Sequence, residues 1–217
     1  TVDPANYFIS GVVTTNFTAK QNTNTITFDL TNALTVSSVK QGSTSLIFTQ
    51  NANDELVITL PTTLTSGASS SVVITYSGAP GTANNAFTAS YHSGNPIIWT
   101  LSEPYGAKDW WPCKQDLNDK VNTIDVYITA PSQYVSVANG LQVSATTNNG
   151  TKTTHFHHSY PIPAYLIAIA VTNYQIYNQV GGVAPNTFPI VNYIYPEGSF
   201  TTQSNLAPTP SIINLYE

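Results

Sequence analysis

A chain of 217 residues, 41% of them hydrophobic, carries enough apolar content for one large all-β domain or two small ones. Six basic against 11 acidic residues, a net charge of -5, exclude the clustered Lys and Arg that nucleic acid demands. No apolar run approaches the roughly 20 residues of a membrane span, and a single cysteine rules out an internal disulfide. Charged residues make up only 8%, so Thr, Ser and Asn supply the polar surface. That mix fits strands and turns and is poor in helix formers. A low-charge surface rich in Thr and Asn points to a bacterial protein, secreted or periplasmic. The chain has no methionine, which is expected if processing removed the natural start together with any signal peptide.

The first third reads as a run of strands. Residues 7–14 and 23–30 are expected to pair around a polar turn at residues 20–24. In the second of these, Ile26, Phe28 and Leu30 fall on one face and Thr25, Thr27 and Asp29 on the other. Residues 46–49, 56–60 and 72–76 continue the series, and the spacing suggests a sandwich or an open antiparallel sheet. Residues 77–93, rich in Gly, Pro, Ala and Asn, read as a loop. A lone carboxylate, Glu103, follows the apolar run Ile97-Ile98-Trp99-Thr100-Leu101 and precedes Pro104. The aromatic knot Trp110-Trp111-Pro112-Cys113 comes next. A second series of strands starts near Asn122, with Ile124, Val126, Tyr127 and Ile128 as its apolar content. Asn148-Asn149-Gly150 marks a type I′ hairpin joining residues 142–147 to 152–158. Residues 165–171, 174–179 and 188–195 complete the strands. Residues 211–217, after Pro210, have the apolar spacing of a helix start.

Several side chains carry the elements of chemistry. His155 and His157 would share one face of a strand and reach a common metal, with His158 adjacent. No Cys, Asp or Glu stands beside them in sequence, whereas catalytic zinc needs three protein ligands and an open position. Solvent-facing strand histidines are therefore the simpler reading. Cys113, among Trp and Pro, reads as a buried, inert thiol. Glu103, Asp116 and Asp119 are close in sequence, and a paired-carboxylate glycosidase needs two carboxyls about 5 to 10 Å apart beside stacking aromatics. Against that, Asp119 next to Lys120 looks like a local ion pair, and Asp116 suits hydrogen bonds to turn amides. Glu103, delivered by a strand end into a loop, is well placed to meet a ligand, although a solvated glutamate would look the same.

The order of these residues resembles the N-terminal domain of the M1 zinc aminopeptidases. That family carries Thr-Gln-x-Glu, an Ala-Arg pair, an aromatic-Pro-Cys and an acidic stretch. Here stand Thr100 and Glu103, Ala107-Lys108, Trp111-Pro112-Cys113 and Asn118-Asp119-Lys120. The stretch from Tyr160 to Tyr174, with Pro161, Tyr165, Leu166 and Ala168, resembles the family's later Pro-x-x-x-Tyr-Leu-x-Ala strand. Two departures stand out. Leu101 replaces the family's glutamine, and Lys114-Gln115-Asp116-Leu117 replaces Phe-Asp-Glu-Pro.

The resemblance implies an all-β, saddle-shaped antiparallel sheet or sandwich domain over residues 1–210, with residues 211–217 beginning a catalytic domain. It implies that Glu103 binds the free α-amino group of a peptide substrate. Zinc would belong to the parent enzyme, since the His-Glu-x-x-His signature does not occur in this chain. This part is then expected to hold no cofactor and to be inactive alone, with its own catalytic domain as partner. The competing reading is a free-standing secreted β-sandwich that binds carbohydrate or a surface. That module requires Trp99, Trp110 and Trp111 to lie on the surface.

Overall fold

Alternating Thr and apolar residues make strands along most of residues 1–216, the part that the computed structural model describes. The first strands are β1 (Val2–Asp3), β2 (Asn6–Thr18), β3 (Thr23–Asp29), β4 (Leu34–Gln41), β5 (Thr44–Ser45), β6 (Ile47–Gln50), β7 (Glu55–Leu64) and β8 (Ser69–Gly78). They form two antiparallel sheets, ordered β1-β2-β8-β4-β5 and β3-β7-β6. In β3, Phe28 is buried and Ile26 half-buried while Thr25 and Thr27 face solvent, as the alternation dictates. Phe28, Leu56 and Ile58 from one sheet meet Leu34, Val72 and Ile74 from the other in one apolar cluster. At about 1.5–3 kcal/mol for each such side chain, this cluster dominates the stability of the region.

The expected pairing of residues 7–14 with 23–30 does not occur. β2 runs against β8, from Ile9 opposite Gly78 to Thr18 opposite Ser69, and β3 runs against β7. Residues 20–24 do not turn the chain back on itself, because Ala19 is bound elsewhere. Its N–H donates to the Ala68 carbonyl at 2.9 Å, and its carbonyl accepts the Gly67 N–H at 2.7 Å. The chain crosses between the two sheets there, in step with the β7–β8 connection.

The next strands are β9 (Phe87–His92), β10 (Asn95–Thr100), β11 (Ile124–Pro131), β12 (Val135–Ala138), β13 (Leu141–Asn148), β14 (Thr151–His158) and β15 (Ile169–Thr172). Their sheets are ordered β12-β15-β10-β9 and β11-β14-β13. The β13–β14 hairpin closes where Asn-Gly predicts it, with Asn149 at φ 47° and Gly150 at φ 80°. Residues 77–93 are not all loop. β9 lies within them and pairs with β10 across Ser93-Gly94, both of positive φ. β9 buries little beyond Phe87, so its apolar signal is weak. Residues 165–171 are not one strand either. A 3-10 turn at Ala164–Leu166 comes first, and Asn139 holds the following segment through the Leu166 carbonyl and the Ala168 N–H.

The last strands, β16 (Gln175–Val183) and β17 (Asn186–Ile194), pair with each other as a two-stranded sheet. The helices α1 (Ser199–Leu206) and α2 (Thr209–Tyr216) follow. α1 is polar and had no sequence signal, whereas α2 covers the expected helix start as far as Tyr216. Glu217, the last residue of that expectation, lies outside the described residues. The architecture is the all-β antiparallel one that the sequence predicts.

Candidate functional site

Glu103 stands at the tip of a loop whose two ends are buried. β10 ends at Thr100, whose hydroxyl accepts the Ile169 N–H of β15 at 2.9 Å. The Leu101 N–H donates to the Ala86 carbonyl at 2.9 Å. Ser102 is only 2% exposed. Its Oγ accepts the indole N–H of Trp110 at 3.0 Å, and its carbonyl accepts the Gly106 N–H at 2.9 Å. Between these anchors, Glu103, Pro104 and Tyr105 are exposed. Gly106 is required by close approach, since a Cβ there would come within 2.6 Å of the Ala86 Cβ.

The return path is equally fixed. A 3-10 turn at Ala107–Asp109 brings the Asp109 carboxylate into the interior. It accepts the Asn84 backbone N–H at 3.0 Å and the Asn84 side-chain amide at 2.9 Å. The Tyr76 hydroxyl donates to the Trp110 carbonyl at 3.1 Å. The local sequence explains this arrangement. Pro104 and Gly106 shape a tight turn, Ser102 supplies a short acceptor for the buried Trp110 indole, and Asn84 supplies donors for the buried Asp109 carboxylate.

The other carboxylates near the knot are committed to structure. The Asp116 side chain accepts the Asn118 N–H at 2.9 Å, as expected of a turn. Asp119 pairs with Lys114 at 2.8 Å, not with its neighbour Lys120, because the turn at Asp116 folds residue 119 back over residue 114. The Lys114 contact holds the Asp119 carboxyl below its usual range. Lys108 pairs with Asp54 at 3.0 Å. Cys113 is buried, and burial together with the nearby Asp29 raises its thiol well above the ordinary value, so it is inert. Trp110 is buried and Trp111 half-buried, with ring centroids 5.9 Å apart and planes tilted by 51°. They form a packed knot, not the exposed platform that sugar stacking needs.

The histidines meet an acid that sequence proximity did not show. Asp125 on β11 lies opposite His157 of β14, and Tyr127 lies opposite His155. One oxygen of Asp125 contacts His155 Nε2 at 2.7 Å and His157 Nδ1 at 2.9 Å. The His155 and His157 hydrogen bonds hold the Asp125 carboxyl below its usual range. Tyr127 stacks on His155 at 4.1 Å, while His158 falls on the opposite face and approaches Tyr160. Two imidazoles sharing one carboxylate oxygen do not match zinc's set of three ligands and an open position. Among the described residues, no group of three or more His, Cys, Asp or Glu is placed to hold a metal ion. A fourth histidine, His92 on β9, bonds Glu197 and the Thr172 hydroxyl and stacks on Tyr195. It ties β9 to the turn before α1.

The peptidase M1 N-terminal domain family matches residues 1–166, which include the whole Glu103 loop. The chain belongs to this family. Among solved structures, a mutant two-domain M1 zinc metallopeptidase bound to L-arginine superposes with TM-score 0.78 at 24% identity. That match covers 93% of this chain and 49% of the other. The M1 zinc metallopeptidase from Deinococcus radiodurans superposes with TM-score 0.75 at 24% identity, over 90% of this chain and 47% of that one. Leucine aminopeptidase 2 of Vanderwaltozyma polyspora is 40% identical over 79 residues, 36% of this chain and 12% of that protein. The protein of the same name from Emericella nidulans is 38% identical over 80 residues, 35% of this chain and 12% of that protein. This M1 N-terminal domain chain thus spans about half the length of its solved structural relatives.

Sequence reasoning singled out Glu103 as a candidate but not the residues that hold its loop. Ser102, Asp109 and Asn84 had no signal of their own. Only the Pro-Tyr-Gly punctuation beside Glu103 marked the loop as shaped.

Proposed function

We propose that this chain is the substrate-gripping front part of a zinc-dependent aminopeptidase, with Glu103 as the carboxylate that binds the peptide's free α-amino group. The observation that carries this reading is an exposed Glu103 on a loop with buried ends, in a chain of the M1 N-terminal family. A carboxylate and an ammonium in a partly dry cleft make a charge-assisted hydrogen bond. Gripping the first residue by its amine restricts cleavage to the end of a peptide.

The solved relatives are zinc metallopeptidases, and this reading assigns the zinc chemistry to the rest of the enzyme. The partner is the chain's own catalytic part. Two facts support this: the two-domain relatives are twice as long, and Phe200, Leu215 and Tyr216 of α1 and α2 are exposed. A bacterial secreted or periplasmic location is part of the same proposal, supported by the sparsely charged, Thr- and Asn-rich surface.

Replacing Glu103→Ala in the full-length enzyme should lower kcat/KM for peptides with a free amine by about 10- to 100-fold. This is the worth of a hydrogen bond to a charged group. Unchanged kinetics would remove Glu103 from the mechanism.

A further inference from the structure

Resting on the Glu103 reading, we infer that Ser102 and Trp110 are positioning residues for amine recognition. Their side-chain hydrogen bond closes the loop at its neck and sets where the Glu103 carboxylate stands. Four contacts converge on this neck. The Trp110 indole N–H reaches the Ser102 hydroxyl at 3.0 Å, and the Tyr76 hydroxyl holds the Trp110 carbonyl at 3.1 Å. The Leu101 N–H is held by Ala86, and the Ser102 carbonyl by Gly106. Ser102 therefore has both its backbone and its side chain committed one residue before Glu103. The three residues that follow are exposed.

The consequence is mechanical. The Glu103 side chain has free torsions, but its Cα does not move independently of Ser102. Amine recognition depends on where a carboxylate stands, and a misplacement of roughly 1 Å costs about a hundredfold in rate. Trp111 shows that the indole bond is not an automatic result of packing. Its own Nε1 is buried next door without a hydrogen-bond partner, whereas Trp110 finds Ser102. Removing the Ser102 hydroxyl leaves the Trp110 N–H unpaired in the interior, and the neck then relaxes toward whatever acceptor it can reach.

The test uses the full-length enzyme and two competitive inhibitors, an aromatic amino acid amide and the same amide lacking its α-amino group. The ratio of their inhibition constants reads the grip on the amine alone. Glu103→Ala should abolish most of the wild-type preference for the amine. Ser102→Ala and Trp110→Phe should each reduce it by about threefold or more, with the double variant no worse than the stronger single one, as for neighbours acting through one contact. Inhibition by the des-amino amide should stay near wild type in all of them.

If Glu103→Ala lowers the preference while Ser102→Ala and Trp110→Phe leave it intact, the positioning role is overturned and the Glu103 reading stands. Parallel weakening of both inhibitors in the Ser102 and Trp110 variants also overturns it, since that is general damage. A preference untouched by Glu103→Ala overturns both readings together.

Discussion

The Glu103 loop and the Asp125–His155–His157 patch are both clusters of polar side chains at strand ends or edges, and they differ in where their hydrogen bonds lie. Around Glu103 the bonds of Ser102, Trp110 and Tyr76 are interior, and the carboxylate itself faces out. In the patch the bonds lie on the outer face of the β11-β14-β13 sheet, with the Asp125 side chain 49% exposed. Buried bonds fix a geometry because water cannot replace them. Exposed ones are exchanged with solvent and contribute little. A rigid base under a free carboxylate suits ligand recognition, whereas the patch suits local sheet pairing.

Truncating the neck should break this contrast most sharply. Trp110→Ala removes a buried indole and should cost about 3–5 kcal/mol of folding stability by chemical denaturation. A loss below about 1 kcal/mol would mean that the knot is not part of the interior. Asp109→Ala comes next. It removes two hydrogen bonds from Asn84 to a charged carboxylate and should cost about 1–3 kcal/mol, together with faster proteolysis in the loop around residue 84.

Asp125→Ala should have the smallest effect, within about 0.5 kcal/mol near neutral pH, because its pairs are open to water. The pH dependence of the patch sharpens the point. The folded-state pKa of Asp125 is depressed below its ordinary 3.8. Its contribution is therefore fully present above that value and is lost as pH falls through the lower folded-state value. Stability curves of wild type and Asp125→Ala should thus run parallel from neutral pH to about 5 and converge below about 4. A gap that stays open below about pH 3 would show that the Asp125 carboxylate is not the group that sets it.

Much of the fold was legible because its signals are local. The alternation in β3, the Asn-Gly turn between β13 and β14, and the Pro and Gly around Glu103 each depend on a few neighbouring residues. Strand partners were less legible. β2 and β3 looked like a hairpin, yet Ala19 binds a turn nearly 50 positions away (Ala68) and sends them to different sheets. β9 was hidden because an edge strand that buries so little has almost no apolar pattern to read.

The same division runs through the candidate site. By itself the sequence determined that a carboxylate follows a strand, that turn residues shape its loop, that the only cysteine sits in an aromatic knot, and which family the order resembles. Only the tertiary structure decided that Ser102 meets Trp110, that Asn84 serves Asp109, and that Asp125 meets His155 and His157. Those contacts join separate elements or close a loop on itself. They are selected by the burial of whole sheets and by the cost of leaving interior polar groups unpaired, conditions that no short stretch of sequence contains.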